Sequence, residues 1–456
     1  MLVYPNSYHV GMSNLGFQTV YKILNEINDI SCERAFLETG FKKPVSIESG
    51  RYAKDFDAII FSVSFEIDFL NVIRFLQCSG IPLSRKERVT MPPLIAGGIA
   101  VTLNFKPLLD IMDYFLIGDG EELVAEFLIS LFEGKQLSNI RGVIESKKNN
   151  STLPAIYKGN KICHSVISTN NTEFSETLLL EIARGCPYKC NFCAVSYNYA
   201  PYRIHKLEDI KKTIEDNIKI FKKIGIVGAS VTSHPDFLPL CKWLNRKKIP
   251  FSVTSLRLNT VNEEIVEELL KGKNNSFAVA VEACSDNLRK IINKGLTDKE
   301  IFRAIDIFIK KKVINLKVYI IVGLPFEQFE DVTKIVDFVV KIKEMYMSKR
   351  KLLKNFGNLS ISVNPFIPKP NTPFHKYKME SEESLRKKIK FLHEKLKKIP
   401  NVRIFSEDIY RAYLQGLLSK ADSQIMNYLV EKINSKISDK RFFKNNAELF
   451  KKYNVI

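Results

Sequence analysis

The stretch Thr177–Cys193, TLLLEIARGCPYKCNFC, sets a short apolar strand against a loop that carries three of the chain's eight cysteines within eight residues. A strand that runs straight into a functional loop is the unit of a parallel β/α fold, and in such folds the loops at the carboxyl ends of the strands build the active site. Cys186, Cys190 and Cys193 are spaced C-x3-C-x2-C, and Pro187, Tyr188 and Asn191 between them make a turn rather than a core. The thiols are therefore read as ligands. Three thiolates in one loop can hold three irons of a cubane iron–sulfur cluster and leave one metal open, whereas structural zinc and electron-transfer clusters normally take four ligands. A zinc site completed by Cys163, His164 or His205 is the other reading of these residues.

Outward from this loop, six apolar strands recur, each followed by a helical pattern: TLLLEIARG, IGIVGAS, PFSVTSLRL, SFAVAVEAC, NLKVYIIVGLP and NLSISVNPF. They predict a partial (β/α)6 barrel over 177–400. In the helix after the sixth strand, Leu385, Ile389, Leu392, Leu396 and Ile399 make a core stripe behind a Ser381 cap, and the intervening lysines are expected to face water. Residues 401–456 read as a mainly helical extension with one strand-like piece, VRIFSE, and are expected to pack against the barrel.

Upstream, residues 1–144 alternate apolar strand with amphipathic helix, as in DAIIFSVSF, PPLIAGGIA and MDYFLIGDGEE. That pattern predicts an open doubly wound α/β domain with a parallel sheet. Residues 145–176, rich in Asn, Ser, Thr and Lys, read as a linker with one short hairpin.

Composition sets the class. A 456-residue chain with 45% hydrophobic and 26% charged residues is folded and globular, and its longest apolar runs are too short to span a bilayer. LVYP starting at Leu2 leaves no room for a leader, so the expected location is the cytoplasm, where clustered thiols mean metal or catalysis. The net charge of +19 invites a nucleic-acid reading. Its lysines are spread along the whole chain rather than gathered, so RNA is not the favoured partner.

Cys186, Cys190 and Cys193, with the aromatic Phe192 before the third, resemble the signature of the radical S-adenosylmethionine (SAM) superfamily. The resemblance runs from about Thr177 to Pro373. It implies an open iron chelated by the amino and carboxylate groups of SAM, one electron from a ferredoxin- or flavodoxin-type protein, and a 5′-deoxyadenosyl radical that starts chemistry on an unidentified substrate. The cofactor then carries the hard chemistry and no acid–base pair is demanded, so no catalytic side chain is named.

By the same resemblance, Glu282 and Ser285 after the fourth strand meet the SAM ribose or amino acid moiety. Ser255 and Arg257 after the third strand meet its carboxylate, and Gly323, with Glu327 following, lies near the adenine. Each has a bland counterpart, such as a Glu282–Arg257 salt bridge in the barrel mouth or a turn that needs Gly323 before Pro325. After the second strand the family commonly has two glycines and a glutamate; here stand Gly228, Ala229 and Ser230, so Gly228 is kept and an acidic partner for the SAM amino group is missing.

A doubly wound domain ahead of such a barrel resembles the cobalamin-binding arrangement, with Gly118–Glu122 like the turn that ends that domain and Gly97 and Gly98 suited to a closely approached ligand. The cobalt-ligating pattern D-x-H-x-x-G is absent, since around His9 stand Ser7 and Met12. Cobalamin is thus an open third cofactor, without that histidine ligand. With YPNSYHVGMSNLGFQ near the start and NPFIPKPNTPF (Asn364–Phe374), the chain is most similar to a poorly characterised two-domain radical SAM group with no settled substrate.

Two other functions are carried forward. A tRNA methylthiotransferase would need three more cysteines in the first domain, which has Cys32 and Cys78. A non-catalytic iron–sulfur protein would need a fourth ligand such as Cys163 or Cys284. Cys241 reads as a packed small residue.

Overall fold

The computed structural model describes residues 1–38, 40, 43–148, 152–349 and 358–456. They form two compact units, Met1–Thr177 with Leu417–Ala447, and Leu178–Gly416 with Glu448–Ile456.

In the first unit, β1 (Leu2–Tyr4), β2 (Arg34–Phe36), β3 (Ile59–Ser62), β4 (Leu94–Gly97), β5 (Tyr114–Leu116) and β6 (Val143–Glu145) make one sheet in the order β2-β1-β3-β4-β5-β6. The first five strands run parallel and β6 runs antiparallel to β5. β1 and β2 are buried at every position, as strands covered on both faces must be. The order reverses between β1 and β3, which opens a crevice at the carboxyl ends of those strands. Its walls are tied together: Asn6 Nδ2 donates to Asp68 Oδ1 at 3.0 Å and Asn14 Nδ2 to Ser64 Oγ at 3.0 Å.

Two expectations are corrected here. The described residues of 145–176 form no hairpin; Ala155 makes a single parallel bridge to Gly118 instead. The C-terminal stretch does not all pack on the barrel, because Leu417–Ala447 belongs to the first unit. There Asn104 Nδ2 donates to Leu418 O (3.0 Å) and Ala421 O (2.8 Å), and Ser419 Oγ donates to Glu66 Oε1 (3.0 Å). Asn104 and Glu66 are both buried, and buried polar groups require such partners.

The second unit holds the six expected strands in chain order: β7 (Thr177–Glu181), then, past a two-residue pair β8 (Ala183–Arg184) and β9 (Arg203–Ile204), β10 (Lys223–Val227), β11 (Phe251–Val253), β12 (Ser276–Glu282), β13 (Asn315–Val322) and β14 (Asn358–Pro365). A further strand, β15 (Val402–Ser406), pairs in parallel with β14. The strands form the sheets β7-β10-β11 and β12-β13-β14-β15, and a parallel bridge between Leu256 and Val279 links them.

The alternation along β12, β13 and β14 decides what this barrel can hold. Phe277, Val279, Leu316, Val318, Leu359 and Ile361 are buried, and the stacking of Phe277 on Phe308 of helix Asp298–Lys310 shows that this set faces the helices. The opposite set, with Lys317, Tyr319, Ser360, Ser362 and Asn364, is polar and half-buried. A closed (β/α)8 barrel fills its interior with branched apolar side chains. This one carries polar side chains on the face turned away from those helices.

Candidate functional site

The cysteine loop is shaped from its base. β8 and β9 pair antiparallel across it, and Gly185 follows with φ of +78°. A Cβ on Gly185 would lie 2.5 Å from Tyr199 O, so only glycine lets the loop close here. Gly185→Ala is expected to cost about 2 kcal/mol or more, the sum of a left-handed backbone penalty and a backbone clash. Urea unfolding would measure the loss, with lower iron uptake accompanying it.

The rest of the loop is pinned to Ile291–Asn293. Asn191 N donates to Ile292 O (2.9 Å), Asn191 Nδ2 to Ile291 O (2.8 Å) and Asn293 Nδ2 to Lys189 O (2.7 Å). From the proline-rich stretch after β14, Phe374 N donates to Asn191 O at 3.0 Å. Phe192 packs against Ala283, Leu288, Ile292, Leu324, Phe366 and Phe374.

Cys190 is buried, and Cys186 and Cys193 are half-buried. Burial pushes the Cys186 and Cys190 thiols up and Cys193 pushes both further, while a backbone hydrogen bond at Tyr188 pulls Cys186 back and Arg257 and Lys294 pull both back toward the thiolate. Two of the three side chains named as completing a zinc site are engaged elsewhere: Cys163 donates to Glu121 Oε1 at 3.0 Å and His164 Nε2 lies 3.0 Å from Lys22 Nζ.

The SAM-binding candidates fall into two sets. Arg257 and Ser230 converge on the cysteine loop. The Arg257 guanidinium lies 3.3 Å from the Tyr188 ring centroid, its Nη2 donates to Lys294 O at 2.5 Å, and its buried Nε meets no partner. Ser230 Oγ is 2.8 Å from Ser233 Oγ, which donates to the Tyr188 hydroxyl at 3.4 Å. Gly228 lies close by, its Cβ position 3.2 Å from Ala183 O. Glu282 ends β12 with φ of +66° and pairs with Lys294 at 3.1 Å, not with Arg257 as the bland reading has it. Ser255 is half-buried beside Leu256.

The other set is taken up by packing. Ser285 Oγ accepts from Leu288 N at 3.1 Å and so caps a helix. At Gly323 a Cβ would meet Leu385 and Glu380, and Gly323 N donates to Glu327 Oε1 at 2.9 Å. Burial pushes the Cys284 thiol up, as expected of a packed residue. Sequence reasoning missed Tyr188 and Lys294; it read Tyr188 as turn only, and no local pattern singles out Lys294.

In the first unit the glycines quoted for cobalamin are closely approached by the domain's own atoms, and His9 is exposed. His9 lies on helix Tyr8–Met12, 3.6 Å from Glu173. Cβ atoms on Gly98 and Gly118 would strike the backbones of Val63 and Ala155, and one on Gly97 would touch Leu116.

Two family models match this chain: that of radical SAM proteins, N-terminal, over residues 16–157, and that of the radical SAM superfamily over residues 180–339. The chain belongs to the radical SAM superfamily. It is an enzyme whose cofactors are a four-iron four-sulfur cluster and SAM. Among its relatives is an uncharacterized protein of Methanocaldococcus jannaschii, 28% identical over 436 residues, which are 94% of this chain and 90% of that one. The tRNA-2-methylthio-N(6)-dimethylallyladenosine synthase of Fusobacterium nucleatum is 27% identical over 319 residues, 65% of this chain and 71% of that one. Among solved structures, the radical SAM methyltransferase TsrM of Kitasatospora setae superposes with a TM-score of 0.61 at 14% identity, covering 82% of this chain and 74% of that chain. That likeness shows a shared fold.

Proposed function

We propose that this enzyme cleaves SAM reductively at a cluster held by Cys186, Cys190 and Cys193, and so starts radical chemistry on a substrate that enters the polar barrel interior. The observation that carries the reading is the meeting of three thiols, Tyr188 and the unpartnered Arg257 Nε at the carboxyl ends of the strands. When bound, the cluster and SAM supply a 5′-deoxyadenosyl radical able to take hydrogen from an unreactive C–H bond. Arg257, held against Tyr188 and Lys294 O, presents Nε to the SAM carboxylate. Ser230 offers a hydroxyl where the family commonly has an acid, and Phe192 gives the loop an apolar wall. Such an enzyme needs a reductant, here a flavodoxin or ferredoxin in the cytoplasm. Among the described residues no helix is long and apolar enough to cross a membrane.

The methylthiotransferase reading is weaker. It would need three more cysteines in residues 1–144, which hold Cys32 and Cys78.

The test is anaerobic cluster reconstitution, then SAM and a strong reductant, with 5′-deoxyadenosine assayed in wild type and Cys186→Ala. Formation in wild type alone is expected. A full cluster that leaves SAM intact would overturn the reading in favour of a cluster-binding protein, and S-adenosylhomocysteine as product would overturn it in favour of polar methyl transfer.

A further inference from the structure

The register of the sheet β12-β13-β14-β15 sets Ala278, Lys317, Ser360 and Arg403 side by side in one row, and Ala280, Tyr319, Ser362 and Phe405 in the next. Partners across a sheet share a face, and so do residues two apart along a strand, so these side chains stand together on the face turned away from the helices. The edge strand keeps to the same rule. Ser406, of opposite parity to Arg403 and Phe405, has its Oγ 3.3 Å from His393 Nε2 on helix Glu382–Leu396.

Each row has its own chemistry. The first sets a cation on either side of a hydroxyl, Lys317 and Arg403 about Ser360; the second sets an aromatic ring on either side of a hydroxyl, Tyr319 and Phe405 about Ser362. Next to them β12 offers only the methyl groups of Ala278 and Ala280, which leaves space above the sheet. The Lys317 ammonium reaches forward to 4.8 Å from the Tyr319 ring centroid, while Arg403 is exposed and Phe405 is 53% exposed. Neither row carries a carboxylate, and among the described residues neither cation forms an ion pair. Folding gains little from this layout, since unneutralised cations repel and an exposed phenyl ring buries little surface. A bound anion with an apolar ring would answer both.

Resting on the radical SAM reading above, we propose that this face binds the substrate and that the substrate is a phosphate monoester carrying a planar ring, the chemical class of a mononucleotide. Such a phosphate brings close to two negative charges, which two cations match, whereas a carboxylate brings one. Lys317 and Arg403 start two strands apart, roughly 10 Å at the backbone, a span that their long side chains close around one phosphate with the Ser360 hydroxyl between them. The rows lie two residues apart, about 6.6 Å along the strands, which calls for a ring several bonds from the phosphorus, stacked on Phe405. Lys317 and Arg403 precede Tyr319 and Phe405 in their strands, so the ring lies nearer the carboxyl ends, where the cysteine loop is, and the phosphate farther from it.

The experiment is isothermal titration calorimetry of the reconstituted protein with uridine 5′-monophosphate, a nucleotide without the adenine of SAM, against uridine, which lacks the phosphate, and ribose 5-phosphate, which lacks the ring. The nucleotide is expected to bind about tenfold more tightly than either fragment. Lys317→Met and Arg403→Met should each weaken it about tenfold and leave uridine unchanged. Phe405→Ala should weaken the nucleotide and uridine alike, about tenfold, and leave ribose 5-phosphate unchanged. Arg403 and Phe405 are exposed, so these two variants decide the matter even if Lys317→Met does not fold. Equal affinity for the nucleotide and either fragment, wild-type affinity in Arg403→Met, or no saturable nucleotide binding at all overturns the proposal. SAM cleavage by the same preparation separates this site from the reading it rests on. Cleavage without a preference for the nucleotide overturns the site alone, and the preference in a protein that assembles no cluster leaves the site standing and overturns the radical SAM reading.

Discussion

Cys190→Ala is expected to abolish cluster assembly while leaving the protein folded. Iron uptake on anaerobic reconstitution should drop to a minor fraction of wild type, and 5′-deoxyadenosine should fall below detection, a loss of several orders of magnitude in rate. Three thiolates are the fewest that can hold the cluster and still leave an iron for SAM, and the other two cysteines of the second unit lie outside the loop, Cys241 buried in helix Phe237–Arg246 and Cys284 just after β12. The fold should survive because the loop is fixed by Gly185 and by backbone and asparagine hydrogen bonds, none of which uses a sulfur. Iron analysis, the visible absorption of the reconstituted protein and far-UV circular dichroism together check this. A Cys190→Ala protein that keeps its cluster would mean that the loop is not the ligand set.

Lys388→Met is expected to be the most destabilising change outside that loop. Lys388 Nζ lies 2.7 Å from Glu327 Oε1 and 2.7 Å from Glu380 Oε2, with the Lys388 and Glu327 side chains 4% and 2% exposed. The two carboxylates hold Lys388 above the usual lysine range despite its burial. Removing the cation leaves two acids facing each other, one of them buried, at a cost of about 3–5 kcal/mol. The sign with pH follows from Glu327, which burial already pushes above the ordinary carboxylate range. Without Lys388 its folded pKa rises further above its unfolded value, so the variant recovers stability as pH falls below the folded value and loses it again as pH rises through it. Urea unfolding at pH 8 and pH 5.5 should show a smaller deficit at the lower pH. An equal deficit at both would mean that the loss comes from packing rather than from charge.

Lys388 also marks the boundary of what sequence periodicity can tell. The helix Glu382–Leu396 follows its expected pattern, with the Ser381 hydroxyl accepting from Ser384 N and Leu385, Leu392 and Leu396 buried. A 3.6-residue period places Lys388 beside that stripe. It cannot say that a neighbouring strand end brings Glu327 to meet the ammonium, and so the expectation that the intervening lysines face water fails at this one.

What the sequence determined by itself was whatever is encoded within a few residues. The three-cysteine loop and the apolar strands with their helices were readable because ligand spacing and side-chain period are local properties of the chain. The tertiary structure alone decided the rest. Glu282 pairs with Lys294 twelve residues on rather than with Arg257, Tyr188 becomes a platform for Arg257 from another strand, and Leu417–Ala447 joins the first unit, where it meets the buried Asn104 and Glu66. Each of these depends on which buried polar group finds which partner across the fold, and a pairing between distant residues leaves no periodic trace in the chain that makes it.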